Sequence, residues 1–194
     1  MITKLERTGH FVNLKRLDKD SIIVDAGACL GAFIDDIRSY NQTSHSLIIA
    51  IEPHPGHAKR LLCRNDENLV VWQRALVGNE EKLEFYSSYY PGWGSTQRPP
   101  PNPHMSYQVK TIKINKIFTK FNIPRIDYLK MVIGGDEKRV LDAMSLETAG
   151  KIKQISVEFH KQYGATGEYV EDRFKALGFK IRATHYKEIF GERK

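Results

Sequence analysis

The sequence predicts an α/β fold, a three-layer sandwich with a mostly parallel sheet and an antiparallel hairpin at its C-terminal end. Apolar runs of strand length alternate with segments of helix length over most of the 194 residues, which is the pattern of successive β-α-β units. The first apolar run ends in Asp25 and a glycine-containing turn, and the second ends in Glu52. A chain of this length fits one domain with an ordinary core. We therefore predict a single domain over residues 1–194.

The individual elements follow from hydrophobic period and from the glycines and prolines that interrupt it. Period-2 or fully apolar runs predict strands, and amphipathic runs predict helices. In chain order the prediction is a short helix at 10–19, a strand at 21–25, a helix at 30–40, a strand at 47–52, a helix at 55–65, strands at 69–76, 82–86 and 109–114, a helix at 115–121, a strand at 126–133, a helix opened by Asp136-Glu137, a strand at 152–159, a helix at 169–177, and terminal strands at 179–185 and 187–190.

Residues 87–106 are predicted to form an irregular loop. Four of the eight prolines lie between positions 99 and 103, where they interrupt regular hydrogen bonding. A loop this long inside a compact domain is usually functional or mobile. Its aromatic residues Tyr89, Tyr90 and Trp93 could stack on a sugar or a base, or could pack down as a lid over a ligand.

Composition and charge limit the possible partners. The net charge of +7 and the pI of about 9.3 make acidic partners plausible, such as nucleic acid, an acidic glycan or an anionic membrane surface. The basic residues are scattered in short clusters, which favours solvated faces over one nucleic-acid footprint. No apolar run approaches the roughly 20 residues that cross a bilayer. Two cysteines without a pairing pattern and the absence of a visible secretory signal predict a cytoplasmic protein with reduced thiols.

The turn after the first strand indicates the class of ligand. Gly27 and Gly31 form G-x-x-x-G and not the G-x-G-x-x-G of a pyrophosphate-binding turn, and the charge of Asp25 would repel a diphosphate. A carboxylate there suits a ligand with an ammonium and a sulfonium group. Glu52, placed 21 residues past Gly31, suits the two hydroxyls of a ribose. The pattern favours S-adenosylmethionine over NAD as the cofactor.

Six short motifs occur in an order that is typical of one family. They are Val24-Asp-Ala-Gly-Ala-Cys-Leu-Gly-Ala-Phe33, Ile51-Glu-Pro-His-Pro55, Ala75-Leu-Val-Gly78, Gly94-Ser-Thr96, Ile126-Asp-Tyr-Leu-Lys130 and Val157-Glu-Phe-His160. On these motifs the chain resembles the FkbM family of S-adenosylmethionine-dependent methyltransferases over about residues 21–180. The resemblance implies a Rossmann-like methyltransferase sheet and methyl transfer to an acceptor. The chain departs from the family pattern where Val132 and Gly134 replace acids and Asn115 replaces an aspartate.

We predict site residues at the strand ends, because parallel sheets of this kind bind ligands at that edge. Arg74 is either a neighbour of the adenine or a surface charge. Glu158 and His160 share one face of a strand end and are the candidate catalytic residues, with His160 able to act near neutral pH. The predicted cofactor-binding residues are Asp25, Gly27, Ala28, Gly31, Glu52, Pro53, Arg74 and Ala75. No metal site is predicted, because the seven histidines are scattered and His54 and His57 lack a third ligand.

Three functions remain open at this point. The first is methylation of a hydroxyl on a glycan or small natural product, with S-adenosylmethionine as cofactor. The second is methylation of nucleic acid, which the net charge and the lysines at 110, 113 and 116 favour. The third is a degenerate protein that binds the cofactor without turnover, which Val132 and Gly134 favour.

Overall fold

The computed structural model describes residues 2–79, 82–88, 94–97 and 103–193. Within them the strands are β1 (Thr3–Lys4), β2 (Phe11–Val12), β3 (Ile22–Ala26), β4 (Leu47–Ile51), β5 (Leu69–Trp72), β6 (Ala75–Leu76), β7 (Leu83–Ser88), β8 (Gly94–Ser95), β9 (Pro103–Val109), β10 (Thr111–Ile112), β11 (Tyr128–Met131), β12 (Gln154–Glu158), β13 (Lys180–His185) and β14 (Glu188–Glu192). The α-helices are α1 (Ala32–Arg38), α2 (Pro55–Leu62), α3 (Ile114–Phe121), α4 (Glu137–Ala143), α5 (Leu146–Gly150) and α6 (Gly167–Ala176).

Seven strands form the central sheet, in the order β13-β14-β12-β11-β3-β4-β5. The five strands from β12 to β5 are parallel to their neighbours, whereas β14 runs antiparallel to both β12 and β13. Parallel strands that are covered on both faces are apolar throughout, and this explains the uninterrupted apolar runs of the sequence. The predicted α/β fold, its mostly parallel sheet and the C-terminal antiparallel hairpin are confirmed.

The core consists of two apolar clusters, one on each face of this sheet. Successive strand residues point to opposite faces, so Val24 joins the cluster under α3, α4 and α6 while Ile23 joins the one under α1 and α2. Side chains of the N-terminal residues Leu5 and Val12 complete the second cluster. The three layers are therefore helix, sheet and helix.

The sheet order places a crevice above β3 and β11. The chain leaves β3 towards β4 on one side, whereas β11 and β12 lie on the other, and ligands bind at such a switch point. Because β14 is reversed, its first residues reach the edge where the parallel strands end. The register pairs Glu188 of β14 with Glu158 of β12.

Several predicted boundaries need correction. The strand predicted at 69–76 is interrupted after Trp72, and β6 pairs with β10 outside the central sheet. The helix predicted at 10–19 is β2 followed by one 3-10 turn, because β2 pairs with β1 instead. Parts of the loop predicted at 87–106 belong to the antiparallel sheet β8-β7-β9. Pro103 is tolerated there because β9 is an edge strand.

Candidate active site

A cavity of about 670 Å³ lies at the carboxyl ends of the parallel strands, within the usual size range for a small-molecule site. Four strand ends contribute to it, namely those of β3, β4, β11 and β12. Its lining also includes segments from outside the sheet, among them Thr8, His10, Ala75, Leu76, Ser95, Thr96 and Lys187.

The glycine turn after β3 forms one end of this cavity. Gly27 and Gly31 both adopt positive φ, +77° and +87°, which side chains other than glycine rarely tolerate. A Cβ on Gly27 would stand 1.8 Å from the carbonyl oxygen of Val132. Gly27 thus lets the turn approach β11 closely. Ala28 of the same turn lines the cavity.

Glu52 connects this turn to the loop after β4. It is 4% exposed, and its two oxygens accept hydrogen bonds from the backbone N–H of Cys29 at 2.7 Å and of His54 at 2.8 Å. A carboxylate has about four lone-pair positions, so each oxygen can accept one more donor. Glu52 and the adjacent Pro53 both line the cavity.

A buried histidine–carboxylate pair forms the opposite end. His160, just after β12, places Nδ1 3.0 Å from Oε1 of Glu137, which is fully buried at the start of α4. The same oxygen accepts the N–H of Ile133 at 3.1 Å. Burial opposes protonation of the ring, but the hydrogen bond and charge of Glu137 outweigh it, with a contribution from Glu158, and the pKa of His160 is raised. Both predicted catalytic residues, Glu158 and His160, line the cavity.

With this geometry in place, comparison with protein families is informative. The family model described as the methyltransferase FkbM domain matches residues 25–181, which is most of the chain. The chain belongs to this family.

Solved structures agree on the fold. A methyltransferase FkbM from Methylobacillus flagellatus KT aligns with a TM-score of 0.60 and 12% identity, over 91% of this chain but only 44% of that chain. A fibrillarin pre-rRNA processing protein from Methanococcus jannaschii gives 0.52 and 16%, over 90% and 67%. Magnesium protoporphyrin IX methyltransferase from Synechocystis PCC 6803, with bound SAM, gives 0.51 and 10%, over 90% and 71%. A comparison with curated protein sequences gives no match.

Asp25 lies beneath the cavity of this FkbM domain and has a partner within the protein. It is fully buried, and its Oδ1 lies 2.8 Å from Nζ of Lys130. Lys130 also donates to the carbonyl of Gly27 at 2.9 Å. Of these two side chains Lys130 lines the cavity, and Asp25 is not among the described lining residues. Direct contact between Asp25 and a cofactor stays a prediction.

Lys130 and Glu137 are site residues that the sequence reasoning missed. Lys130 closes the motif Ile126-Asp-Tyr-Leu-Lys130, and Glu137 is one of the two acids predicted to open a helix. Their roles depend on partners 105 and 23 residues away in sequence. No local pattern indicates such pairs.

The pKa values of two histidines beside Glu52 are shifted in opposite directions. Hydrogen bonds that the protonated ring of His57 donates to Cys29 and Glu52 raise its pKa to about 9. Burial and the neighbouring charge of His57 lower the pKa of His54. The two rings stack with centroids 4.1 Å apart, and Nδ1 of His54 accepts the first N–H groups of α2. Among the described residues no group of three potential ligands could hold a metal ion.

Of the two residues predicted to bind the cofactor after β5, Ala75 lines the cavity. Arg74 is not among the described lining residues, and its guanidinium carbon lies 5.1 Å from the centre of the Trp72 ring. The role of Arg74, as a neighbour of the adenine or as a surface charge, stays a prediction.

Gly134, which replaces an acid of the family pattern just after β11, has a structural reason. Gly134 has a φ of +64°, and a Cβ there would stand 1.9 Å from the carbonyl oxygen of Gly94. The described part of the predicted loop therefore rests on this turn, and Gln97 donates to Asp136 at 2.6 Å. Gly94, Ser95 and Thr96 line the cavity. Tyr89, Tyr90 and Trp93 lie outside the described residues.

Among the described residues no helix has the length and apolar character needed to cross a membrane.

Proposed function

We propose that this chain is an S-adenosylmethionine-dependent methyltransferase that methylates a hydroxyl group on a glycan or a small natural product. One observation carries the proposal: a single cavity has the glycine turn and Glu52 at one end and the pair His160–Glu137 at the other. The cofactor supplies an electrophilic methyl group on a sulfonium. The protein must bind it, align the acceptor with the C–S bond and remove a proton.

The cofactor end fits a nucleoside with two adjacent hydroxyls. After its two backbone hydrogen bonds Glu52 keeps one acceptor position on Oε2, while the remaining position on Oε1 faces Nδ1 of His57 at 3.7 Å. A 2′,3′-diol that donates to both oxygens would take the place of His57 on Oε1. Ala75 and Leu76 are buried at the next strand end, where apolar side chains suit the faces of an adenine. Lys130 neutralises Asp25, so the floor of the cavity carries no uncompensated charge from this pair.

The acceptor end fits general base catalysis by His160. The contact of Nδ1 with Glu137 leaves Nε2 as the nitrogen that takes the acceptor's proton. The ring must be neutral to act as a base, and Glu137 favours the protonated form by raising the pKa of His160. Methyl transfer should therefore accelerate as the pH rises through a value above 6.5, the ordinary pKa of histidine. Glu137 acts through His160 and is a positioning residue.

The site favours a small acceptor over nucleic acid. The net charge of +7 supports a polyanion, but Lys110, Lys113 and Lys116 are not among the described residues that line the cavity. Glu158 and Lys187 both line the same cavity and offset each other's charge, so the described lining at this end offers no basic cluster to a phosphodiester. The basic clusters thus belong to other surfaces of the molecule.

Titration calorimetry with S-adenosylmethionine and S-adenosylhomocysteine tests the cofactor. Glu52→Ala should weaken both at least tenfold, because two charge-assisted hydrogen bonds of about 1.5–3 kcal/mol each are lost. Glu67→Ala, at an exposed position beyond α2, is the matched control and should bind as wild type does. If wild type binds neither compound, the cofactor assignment is wrong and this proposal fails with it.

NMR of the histidine rings tests the base. The pKa of His160 should exceed 6.5 in the wild-type protein and should fall in Glu137→Gln, which keeps the shape of the side chain but removes its charge. A ring that titrates identically in both proteins would remove the basis for the assignment of His160 as an oriented base.

A further inference from the structure

The N-terminal segment, residues 5–13, is a wall of the cavity that lies outside the matched family region of 25–181. Its Thr8 and His10 line the cavity. Buried Asp36 of α1 fixes the segment, because Oδ2 accepts the N–H of Arg7 at 3.1 Å, the N–H of Thr8 at 2.8 Å and the hydroxyl of Thr8 at 2.8 Å. The wall is therefore fastened to the helix that follows the glycine turn.

Glu188 fixes the same segment from the opposite side. Nδ1 of His10 lies 3.3 Å from Oε2 of Glu188, and both side chains are 12% exposed. Oε1 of Glu188 accepts the N–H of Phe11 at 3.0 Å and also the hydroxyl of Ser156. Burial of Glu188 disfavours its charge, but the hydrogen bond and charge of His10 outweigh this effect and lower the pKa of the carboxyl. The ring of His10 thus has a fixed carboxylate partner.

The arrangement is similar to that of His160 with Glu137, although the contact at His10 is longer and less well aligned. In both pairs Nδ1 faces a carboxylate, and in both the histidine lines the cavity. The reversed strand β14 makes this possible, because it places Glu188 directly beside Glu158 in the register of the sheet. The cavity therefore has two imidazoles with Nδ1 directed at a carboxylate, and within the described part of the chain neither Nε2 has a hydrogen bond.

The groups around these imidazoles suit an acceptor with several hydroxyls. A hydroxyl both donates and accepts, which matches Thr8, Glu158 and Gln162 of the lining. The carboxylates of Glu137, Glu158 and Glu188 lie around the two histidines, and Lys187 of the lining offsets only part of their charge, so an anionic acceptor is less suited.

We infer that His10 is an acceptor-contacting residue, which hydrogen-bonds a hydroxyl of a sugar-like ring while His160 faces the hydroxyl to be methylated. The inference rests on the proposed function and deepens it. It makes the N-terminal segment, which the family match does not include, a determinant of acceptor specificity.

Ring NMR in the presence of saturating S-adenosylhomocysteine tests this inference, with methyl α-glucopyranoside, methyl α-mannopyranoside and methyl α-galactopyranoside as probes. His10→Gln and His160→Gln assign the two signals. At least one glycoside should shift the signals of His10 and His160 together. The signal of the exposed residue His45 is the internal control and should not move.

Affinity measurements separate contact from structural support. His10→Ala should weaken the responding glycoside at least tenfold while the affinity for S-adenosylhomocysteine stays within twofold. His45→Ala, at an exposed position, is the matched control and should change neither affinity. His10→Gln, which is less disruptive to the segment, should also weaken the glycoside if the imidazole makes the contact.

The outcomes separate this inference from the proposed function. A shift of His160 without His10 would make His10 a structural residue and overturn the inference. A response to a short single-stranded RNA but to none of the glycosides would overturn the sugar-like acceptor. Failure of wild type to bind S-adenosylhomocysteine would overturn the proposed function, and the inference with it.

Discussion

Replacement of Lys130 by methionine should strongly destabilise the protein. Lys130 and Asp25 are 5% and 0% exposed and lie 2.8 Å apart. Their attraction at an effective dielectric of about 20 is roughly 6 kcal/mol before desolvation is subtracted. Lys130→Met leaves a buried carboxylate without its cation, and such losses cost about 3–5 kcal/mol. We expect the free energy of unfolding to fall by this amount.

Urea unfolding followed by tryptophan fluorescence measures the change, because Trp72 packs against Phe121 and reports on tertiary structure. Lys153→Met is the matched control. Its Nζ lies 2.7 Å from Asp127, but the lysine side chain is 43% exposed, so its loss should cost at most about 1 kcal/mol.

The double variant Asp25→Asn/Lys130→Met completes the cycle. It removes both charges together and should recover most of the stability lost in the single lysine variant. It should also bind S-adenosylhomocysteine within a few-fold of wild type, if the pair mainly neutralises itself. Equal destabilisation by Lys130→Met and Lys153→Met would refute the electrostatic argument. Affinity lost equally in the double variant and in Asp25→Asn would show that Asp25 serves the ligand directly.

Two further predictions concern backbone strain and pH. Gly134→Ala should cost at least about 1–2 kcal/mol in urea unfolding, because its φ of +64° and the approach of Gly94 exclude a Cβ. Gly150→Ala, where a Cβ meets nothing within 4 Å, should be neutral or slightly stabilising, and equal losses would contradict the reasoning. The raised pKa of His57, about 9, stabilises the fold fully below pH 6.5, and this contribution is lost as pH rises from 6.5 to 9. The loss should be on the order of 1 kcal/mol, because solvent screens the ring, and it should disappear in His57→Gln; a pH dependence unchanged in that variant would refute it.

The fold was predictable because its signals are local. Buried parallel strands are apolar throughout, so runs such as Leu47–Ile51 predict strands without knowledge of their partners. The exceptions arise where pairing over distance decides the structure. Residues 69–76 are predicted as one strand, yet Gln73 and Arg74 separate β5 from β6, which pairs with β10 in a separate sheet. Residues 103–109 form a strand despite Pro103, because an edge position tolerates a proline.

The site was predictable only at the strand ends. Asp25, Glu52, Glu158 and His160 each follow an apolar run, and the parallel fold brings such ends to one edge. Their partners come from elsewhere in the chain. Strand β14 carries Glu188 to this edge because it pairs antiparallel with β12. Glu188 there meets His10 of the N-terminal segment, which lies 178 residues away in sequence, and no motif indicates this contact.

The replacement of acids by Val132 and Gly134 can now be related to the rest of the site. An acid with a Cβ at position 134 would collide with the carbonyl of Gly94, so the glycine and the overlying segment 94–97 depend on each other. The site retains carboxylates at other strand ends and helix starts, since Glu52, Glu158 and Asp136 all line the cavity. The glycine at position 134 therefore replaces an acid and allows segment 94–97 to approach this turn closely. His160, which lines the same cavity, keeps its contact with Glu137. That combination favours a working site with a divergent pocket over a degenerate one, and cofactor titration tests whether the pocket binds S-adenosylmethionine at all.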